Sequence, residues 1–417
     1  MTDLTIPRRR LSLIGPGIIV AATGVGAGDL VATLIAGSRF GYALLWAAVA
    51  GAMLKIALAE GVGRWTLATG RTIFDGWAGL GGWARGYFGL YVVIWGFVYG
   101  AAGMTATALP LAAAFPALDL KTWAMLAGIA GAILTWFGGY RFFELIMGAL
   151  VGVMFVTVVG LAVVVAPDVP AMLAGLIPML PDGSVFYTLG LIGGVGGTIT
   201  VAAYGYWIVA RGWKGPEWLG VMRLDNAIGY VVTGVFVVAM LIVGAELLHA
   251  AGVALQSGDR GLLDLDEVLR ARFGPIISAA FLIGFFATAF SSVLGVWHGV
   301  SLMFADFYAD AQERLGRPLP DCEAFRGDRS TPFRLYVLWL TFPPMLLLFM
   351  DRPFALIVAY GVLGALFMPF LAGTLLWLLN SKAMPPEWRS GWISNSMLAL
   401  SAVLFAALAG KELMGLF

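Results

Sequence analysis

Thr23-Gly24-Val25-Gly26-Ala27-Gly28-Asp29-Leu30-Val31-Ala32 stands near the middle of an apolar run that starts at Leu11 and continues to Gly37. Three glycines and an aspartate are poor choices for an uninterrupted apolar helix. Glycine tolerates non-helical dihedrals, and a carboxylate at membrane depth is costly enough to be functional by default. The stretch therefore reads as a helix broken where it is buried. Unwinding a turn frees carbonyls and amides that can coordinate a substrate or an ion, and such backbone is tolerated only inside protein or along a cavity. The milder reading of the same glycines is close helix packing through small residues.

The rest of the chain supplies the setting. Of its 417 residues 60% are apolar and 12% charged, with a mean hydropathy of +0.91, a composition that belongs to an integral membrane protein in contact with lipid. Repeated apolar runs of about 20 residues, each enough to cross the hydrocarbon as a helix, predict a polytopic all-α bundle. Eleven spans are expected, at 11–37, 41–63, 86–113, 121–138, 143–166, 185–210, 225–249, 274–304, 333–350, 354–380 and 391–412. The longest connections, 250–273 and 305–332, are charged, so 1–417 reads as a single transmembrane domain. With the N-terminus cytoplasmic, 17 of the 25 Lys and Arg fall inside, which predicts that orientation, in a plasma (inner) membrane. Met1 to Arg10 is polar and the following run too long for an h-region, so no cleavable signal peptide is expected.

Several functions are disfavoured. A net charge of +1 implies no nucleic-acid partner. The single cysteine, Cys322, permits no intramolecular disulfide or multi-thiolate metal site and reads as an ordinary free thiol. No HExxH pair, nucleophile elbow or P-loop is present, which argues against an enzyme and against an ATP-driven pump.

An internal echo strengthens the broken-helix reading. Gly24-Val25-Gly26-Ala27-Gly28 in the first span resembles Gly194-Val195-Gly196-Gly197-Thr198 in the sixth, five spans later. An odd number of spans per repeat inverts the second copy. Glycine-interrupted helices at matching positions of two inverted halves point to a transporter's midplane site. Unwinding is thus expected near 23–28 and 194–200, with the two breaks facing each other.

The order of motifs resembles the NRAMP family of metal-ion transporters over nearly the whole chain. Gly15-Pro16-Gly17 opens the first span, Leu44-Leu45-Trp46 follows at the family's distance, and Gly139-Tyr140-Arg141-Phe142-Phe143-Glu144 resembles its Gly-x-Arg-x-x-Glu. Arg223-Leu224-Asp225, Phe273-Gly274 and Ser291-Ser292 resemble the entry to the seventh span and the eighth span. The resemblance implies a LeuT-like fold: two inverted five-helix repeats, about 11–166 and 185–380, with an eleventh helix at about 391–412. It also implies a secondary transporter of a small cation, a divalent metal ion as substrate, and no resident cofactor.

The family's functional motifs are altered in this chain. Its metal-binding Asp-Pro-Gly-Asn falls on Gly26-Ala27-Gly28-Asp29, so the carboxylate occupies the asparagine position. Its Ala-Thr-Val-Met-Pro-His falls on Gly197 to Ala202, which puts the Thr200 hydroxyl where a thioether is expected and Ala202 where a histidine is expected. Span 86–113 lacks the acidic residues of the family's proton route, which implies weak or absent proton coupling. Asp29 with Thr23, Thr198, Thr200 and carbonyls near Gly26 and Gly197 would make an all-oxygen site, suited to Mg²⁺ or Mn²⁺. Asp29 also suits a helix cap, a role compatible with ligation. The alternative substrate is an organic amine or amino acid, because Tyr204, Tyr206, Trp207 and Trp297 supply aromatic faces beside a carboxylate.

The remaining candidates are gating or structural. Lys55 either snorkels or forms a structural ion pair, or its ammonium replaces a coupling cation. Glu60 and Arg64, four apart, read as a cytoplasmic-end pair. Asp225 belongs to a gate network or caps a helix, Ser291 lies in the eighth span, and His298 reads as a hydrogen-bonded interior histidine. The partners expected are the bilayer and a small cation; a monomer is plausible.

Overall fold

The structure is a computed structural model that describes residues 15–194, 196–249, 266, 269–317, 326–350 and 353–414. Cys322 lies outside them. Every regular element among the described residues is helical.

The first expected span is two helices, α1 (Pro16–Gly24) and α2 (Ala27–Phe40). Then come α3 (Leu45–Thr69), α4 (Ile73–Leu80), α5 (Gly82–Ala114) and α6 (Leu120–Phe137). A span from Tyr140 to Val164 is built from α7 (Tyr140–Met154), one π-helical turn (Phe155–Val159) and α8 (Gly160–Val164). After α9 (Val169–Ala174) the sixth span is again two helices, α10 (Val185–Gly194) and α11 (Ile199–Ala210). The chain continues through α12 (Leu219–Gly244), α13 (Pro275–Arg314), α14 (Thr331–Thr341), α15 (Pro353–Asn380) and α16 (Trp392–Met414).

Eight of these spans are long and apolar enough to cross a membrane unbroken. The two halved helices account for two more of the expected eleven, and α15 for the last. Two short helices at span ends escaped the sequence reading. The first, α4, is launched by a capping box in which the Thr72 hydroxyl accepts from Asp75 N–H while the Asp75 carboxylate accepts from Thr72 N–H. The second, α9, begins at the Asp168 cap.

Both breaks are present, and both are shorter than the sequence reading gave. In the first, only Val25 and Gly26 leave the helix, and Thr23 and Gly24 still belong to α1. In the second, Gly196 and Gly197 carry positive φ of 81° and 87°, values that a residue with a Cβ rarely adopts, before α11 starts at Ile199. The short α1 and α11 pack on each other in the interior, α1 also against α12 and α13. With 40 residues, α13 is about 60 Å long. It touches α1, α5, α6, α7, α11 and α14, and near its C-terminal end Asp306 reaches Thr72 and Tyr206.

Candidate functional site

The two breaks cross in backbone contact. A Cβ on Gly24 would fall 2.1 Å from the Gly196 carbonyl carbon, and one on Gly197 would fall 2.8 Å from Gly24 Cα. Glycine at both positions is therefore a condition of the crossing. Of the carbonyls this frees, Gly196 O accepts from the Tyr230 hydroxyl at 3.3 Å. Gly197 O accepts from the Lys55 ammonium.

That second bond corrects the favoured reading of Lys55. Its side chain does not snorkel: the residue is fully buried, with Met368 Sδ 4.0 Å from Nζ and the Phe405 ring centroid at 5.4 Å. The ammonium of α3 thus meets the very carbonyl that the sequence assigned to a substrate cation.

The threonines divide in three ways. Thr200 Oγ1 is buried beside Gly197 and has no hydrogen-bond partner among the described residues. Thr198 turns toward Gly364 of α15, where a Cβ would come within 2.9 Å of its methyl. Thr23 gives its hydroxyl proton to Ile19 O, a turn back along α1, while its carbonyl accepts from the Ser292 hydroxyl at 2.9 Å. Gly26 is buried within the first break. Asp29 is the third residue of α2, on the first turn after that break; its side chain lies outside the described part of the structure.

Tyr204 is placed elsewhere than expected. It sits midway along α11, and its hydroxyl donates to Asp225 Oδ2 at 3.1 Å and Met222 O at 3.2 Å. Asp225 lies inside α12 and caps a different helix from the one expected: its two oxygens accept from Gly15 N–H at 2.9 Å and Gly17 N–H at 2.6 Å, at the start of α1. This explains Gly15-Pro16-Gly17. Pro16 has no N–H, so the carboxylate takes the two amides on either side of it, and a Cβ on Gly17 would lie 2.3 Å from Asp225 O.

Around this cap the same end of the bundle is tied by further charges. Arg211 of α11 pairs with Glu144 of α7 at 2.7 Å, and Glu60 pairs with both Arg64, at 3.1 Å, and Arg223, at 2.9 Å. Asp306, on the overlong α13, was missed by the sequence reading. It is fully buried, accepts from Thr72 at 2.5 Å and Tyr206 at 2.8 Å, and pairs with Arg326 at 3.0 Å. The signal that could have found it is an aspartate in the apolar register of α13, hidden because the expected span stopped at 304.

His298 is an interior histidine, as read: Nδ1 accepts from Trp207 Nε1 at 3.1 Å and the ring stacks on Phe143 with centroids 4.2 Å apart. Ser291 bonds Thr288 O in its own helix. Its neighbour Ser292 makes the contacts between helices, to Thr23 O and to the Tyr99 hydroxyl at 2.8 Å. Tyr99 ends a column of rings on α5, Tyr87, Tyr91, Trp95 and Tyr99, stacked at intervals of four residues. The column faces α15, whose Leu366 and Leu363 carbonyls accept from Tyr87 at 2.8 Å and Tyr91 at 3.0 Å. Neither this face nor the rest of span 86–113 carries an acidic residue. Among the described residues, no three His, Cys, Asp or Glu converge as a metal cluster.

The family model for natural resistance-associated macrophage protein-like (Nramp) sequences matches residues 17–415. The divalent metal cation transporter MntH of Deinococcus radiodurans is 25% identical over 307 residues, 68% of this chain and 66% of that protein. The matched segment thus spans just under two thirds of that relative's length. In the solved structure of the manganese transporter of Eremococcus coleocola, at 16% identity, the fold superposes with a TM-score of 0.79 over 100% of this chain and 90% of that one. A nucleobase-cation-symport-1 family transporter follows the same course with a TM-score of 0.57 at 14% identity, covering 96% of this chain and 92% of its own. With two halved helices crossing at glycine, an aspartate-capped Gly-Pro-Gly entry and a family match along nearly its whole length, the chain belongs to the Nramp family and has its LeuT-type fold.

Proposed function

We propose that this protein is a secondary transporter that moves a small cation, a divalent metal ion of the Mg²⁺ or Mn²⁺ type, across the membrane by alternating access. The observation that carries this reading is the crossing of the breaks, where a buried Thr200 hydroxyl with no partner among the described residues lies beside Gly197. Asp29, Gly26, Gly197 and Thr200 are the residues we assign to the ion, with Thr23 and Thr198 in supporting positions. Oxygen donors of this kind suit hard cations that retain several waters. The repeats are taken as about 11–166 and 185–380, with the N-terminus cytoplasmic in an inner membrane.

Coupling to protons is weak or absent in this proposal, because the span where the family's proton route carries acidic residues has none here, and α5 presents a column of aromatic rings to α15 instead. In proteoliposomes loaded with a fluorescent indicator, Mg²⁺ or Mn²⁺ entry is expected without acidification at a comparable rate. Uptake of neither ion would sink the metal reading. The same column favours one second reading, a small organic amine, since stacked rings leading to Ser292 and the first break offer faces for an ammonium. Competition of amines with Mg²⁺ for uptake separates the two.

A further inference from the structure

We infer that Lys55 is a tethered cation: its ammonium fills the carbonyl of the second break, and a substrate cation binds by displacing it. The inference rests on the cation-transport reading and deepens it.

The argument begins with the backbone. Unwinding at Gly196 and Gly197 leaves carbonyls in a buried setting, where an unpaired acceptor costs about 1–3 kcal/mol. The chain answers with two donors of its own. Tyr230 supplies a neutral hydroxyl to Gly196 O, whereas Lys55 supplies a full positive charge to Gly197 O. The packing around Lys55 holds it there: the Met368 sulfur, the Phe405 ring and Gly196, a Cβ on which would lie 3.4 Å from Lys55 Cγ. A buried ammonium aimed at a main-chain carbonyl is chemically what a bound alkali or hard metal cation would be there, a positive charge on an oxygen ligand.

A divalent ion on Gly197 O would stand within about 5 Å of that ammonium if Lys55 stayed in place. At that distance the repulsion between +2 and +1 is several kcal/mol even at an effective dielectric constant of about 20. Ion and ammonium therefore exclude each other at this oxygen. Two consequences follow. Without substrate the crossing remains satisfied and charged, so no ion is needed to hold the breaks together. With substrate, the lysine lowers apparent affinity by the free energy of moving the ammonium off Gly197 O, and a weakly bound ion does not displace it.

The test measures Mg²⁺ binding to purified protein by calorimetry, in wild type, Lys55→Gln and Lys55→Arg. Mg²⁺ is the probe because a hard ion ignores the neighbouring thioether. We expect Lys55→Gln to tighten Mg²⁺ binding at least tenfold and Lys55→Arg, which keeps the charge, to bind no better than wild type. If Lys55→Gln does not fold, Lys55→Met fills the same apolar surroundings without charge and carries the same expectation. Binding that is detectable only in the uncharged variants also supports the proposal. Unchanged or weaker Mg²⁺ binding in a folded uncharged variant, against measurable binding in wild type, overturns it and leaves the transport reading standing. Absence of binding of both Mg²⁺ and Mn²⁺ in wild type and all variants overturns both.

Discussion

The centre of the bundle and the end where α1 begins use charge in opposite ways. At the end, Asp225, Glu144, Glu60 and Asp306 each meet donors from other helices, and their partners Arg211, Arg223 and Arg326 lie beside them. These side chains hold helices together. At the centre, backbone carbonyls and hydroxyls dominate the described groups, with Lys55 the charged side chain among them. The difference separates closure from recognition. Under the alternating access proposed above, the Arg211–Glu144 and Arg223–Glu60 pairs, which tie α7 to the end of α11 and α3 to α12, would break together, while the crossing of glycine backbones would stay in place as the site.

The sharpest way to break this division is at Asp225. Replacing it by Ala removes the acceptor of two buried amides at the start of α1 and one of the two acceptors of the Tyr204 hydroxyl, which keeps Met222 O. Asp225→Ala is expected to cost about 3 kcal/mol or more and to abolish transport, read by thermal unfolding in detergent alongside proteoliposome flux. A fully stable, active Asp225→Ala would show that this end is not held by its charges. At the centre, Gly24→Ala forces a Cβ to within 2.1 Å of the Gly196 carbonyl carbon, a backbone atom that cannot rotate away. The breaks should separate and cation affinity fall about 100-fold, or roughly 2.7 kcal/mol, while the ion pairs of the other region stay formed.

Asp29 sharpens the same contrast at smaller magnitude. As third residue of α2, immediately after the first break, it stands where one carboxylate would meet a cation. Asp29→Asn keeps size and capping capacity and removes charge. Cation transport is expected to weaken about tenfold, or about 1.4 kcal/mol, with folding nearly intact. Adding Gly26→Asp and Thr200→Met to Asp29→Asn restores the family's ligand arrangement and should raise Mn²⁺ affinity relative to Mg²⁺. Normal transport by Asp29→Asn would move the substrate elsewhere or make it neutral or anionic, and Asp29 only a cap.

What could be read from sequence followed the range of the physics involved. Span length and hydropathy are local, and each of the eleven expected spans falls on an observed helix or helix pair, although 274–304 stops ten residues short of the end of α13. The glycine echo located both breaks, because the need for positive φ or close approach is written in the residue itself. Partners across the bundle were not legible. Nothing in the neighbourhood of Lys55 in the chain announces Gly197, 142 positions away, nor does Tyr204 announce Asp225 on the next helix. Tyr204 follows the break in sequence, yet its place midway along α11 puts its hydroxyl on Asp225, which caps the start of α1. Asp306 was overlooked because a 40-residue helix was cut at hydrocarbon length.

The smallest effect concerns two adjacent serines. Ser291 and Ser292 are both buried, and sequence alone favours neither. On a helix, neighbouring side chains point about 100° apart, so one can face a packed partner while the other lies along its own turn. Ser291 donates to Thr288 O, a carbonyl three residues back that remains available to the helix, and Ser291→Ala should change stability by less than about 0.5 kcal/mol. Ser292 instead donates to Thr23 O at the end of α1 and meets the Tyr99 hydroxyl, linking α13, α1 and α5 next to the first break. Interhelical hydrogen bonds in membranes are worth about 0.6 kcal/mol on average and up to about 1.7, so Ser292→Ala should cost around 1 kcal/mol. Because the lost bonds adjoin the break, it should also slow cation transport several-fold, whereas Ser291→Ala leaves it unchanged. Equal effects from the two substitutions would mean that α13 grips the first break through its packing on Thr23 and Gly295 rather than through this hydroxyl.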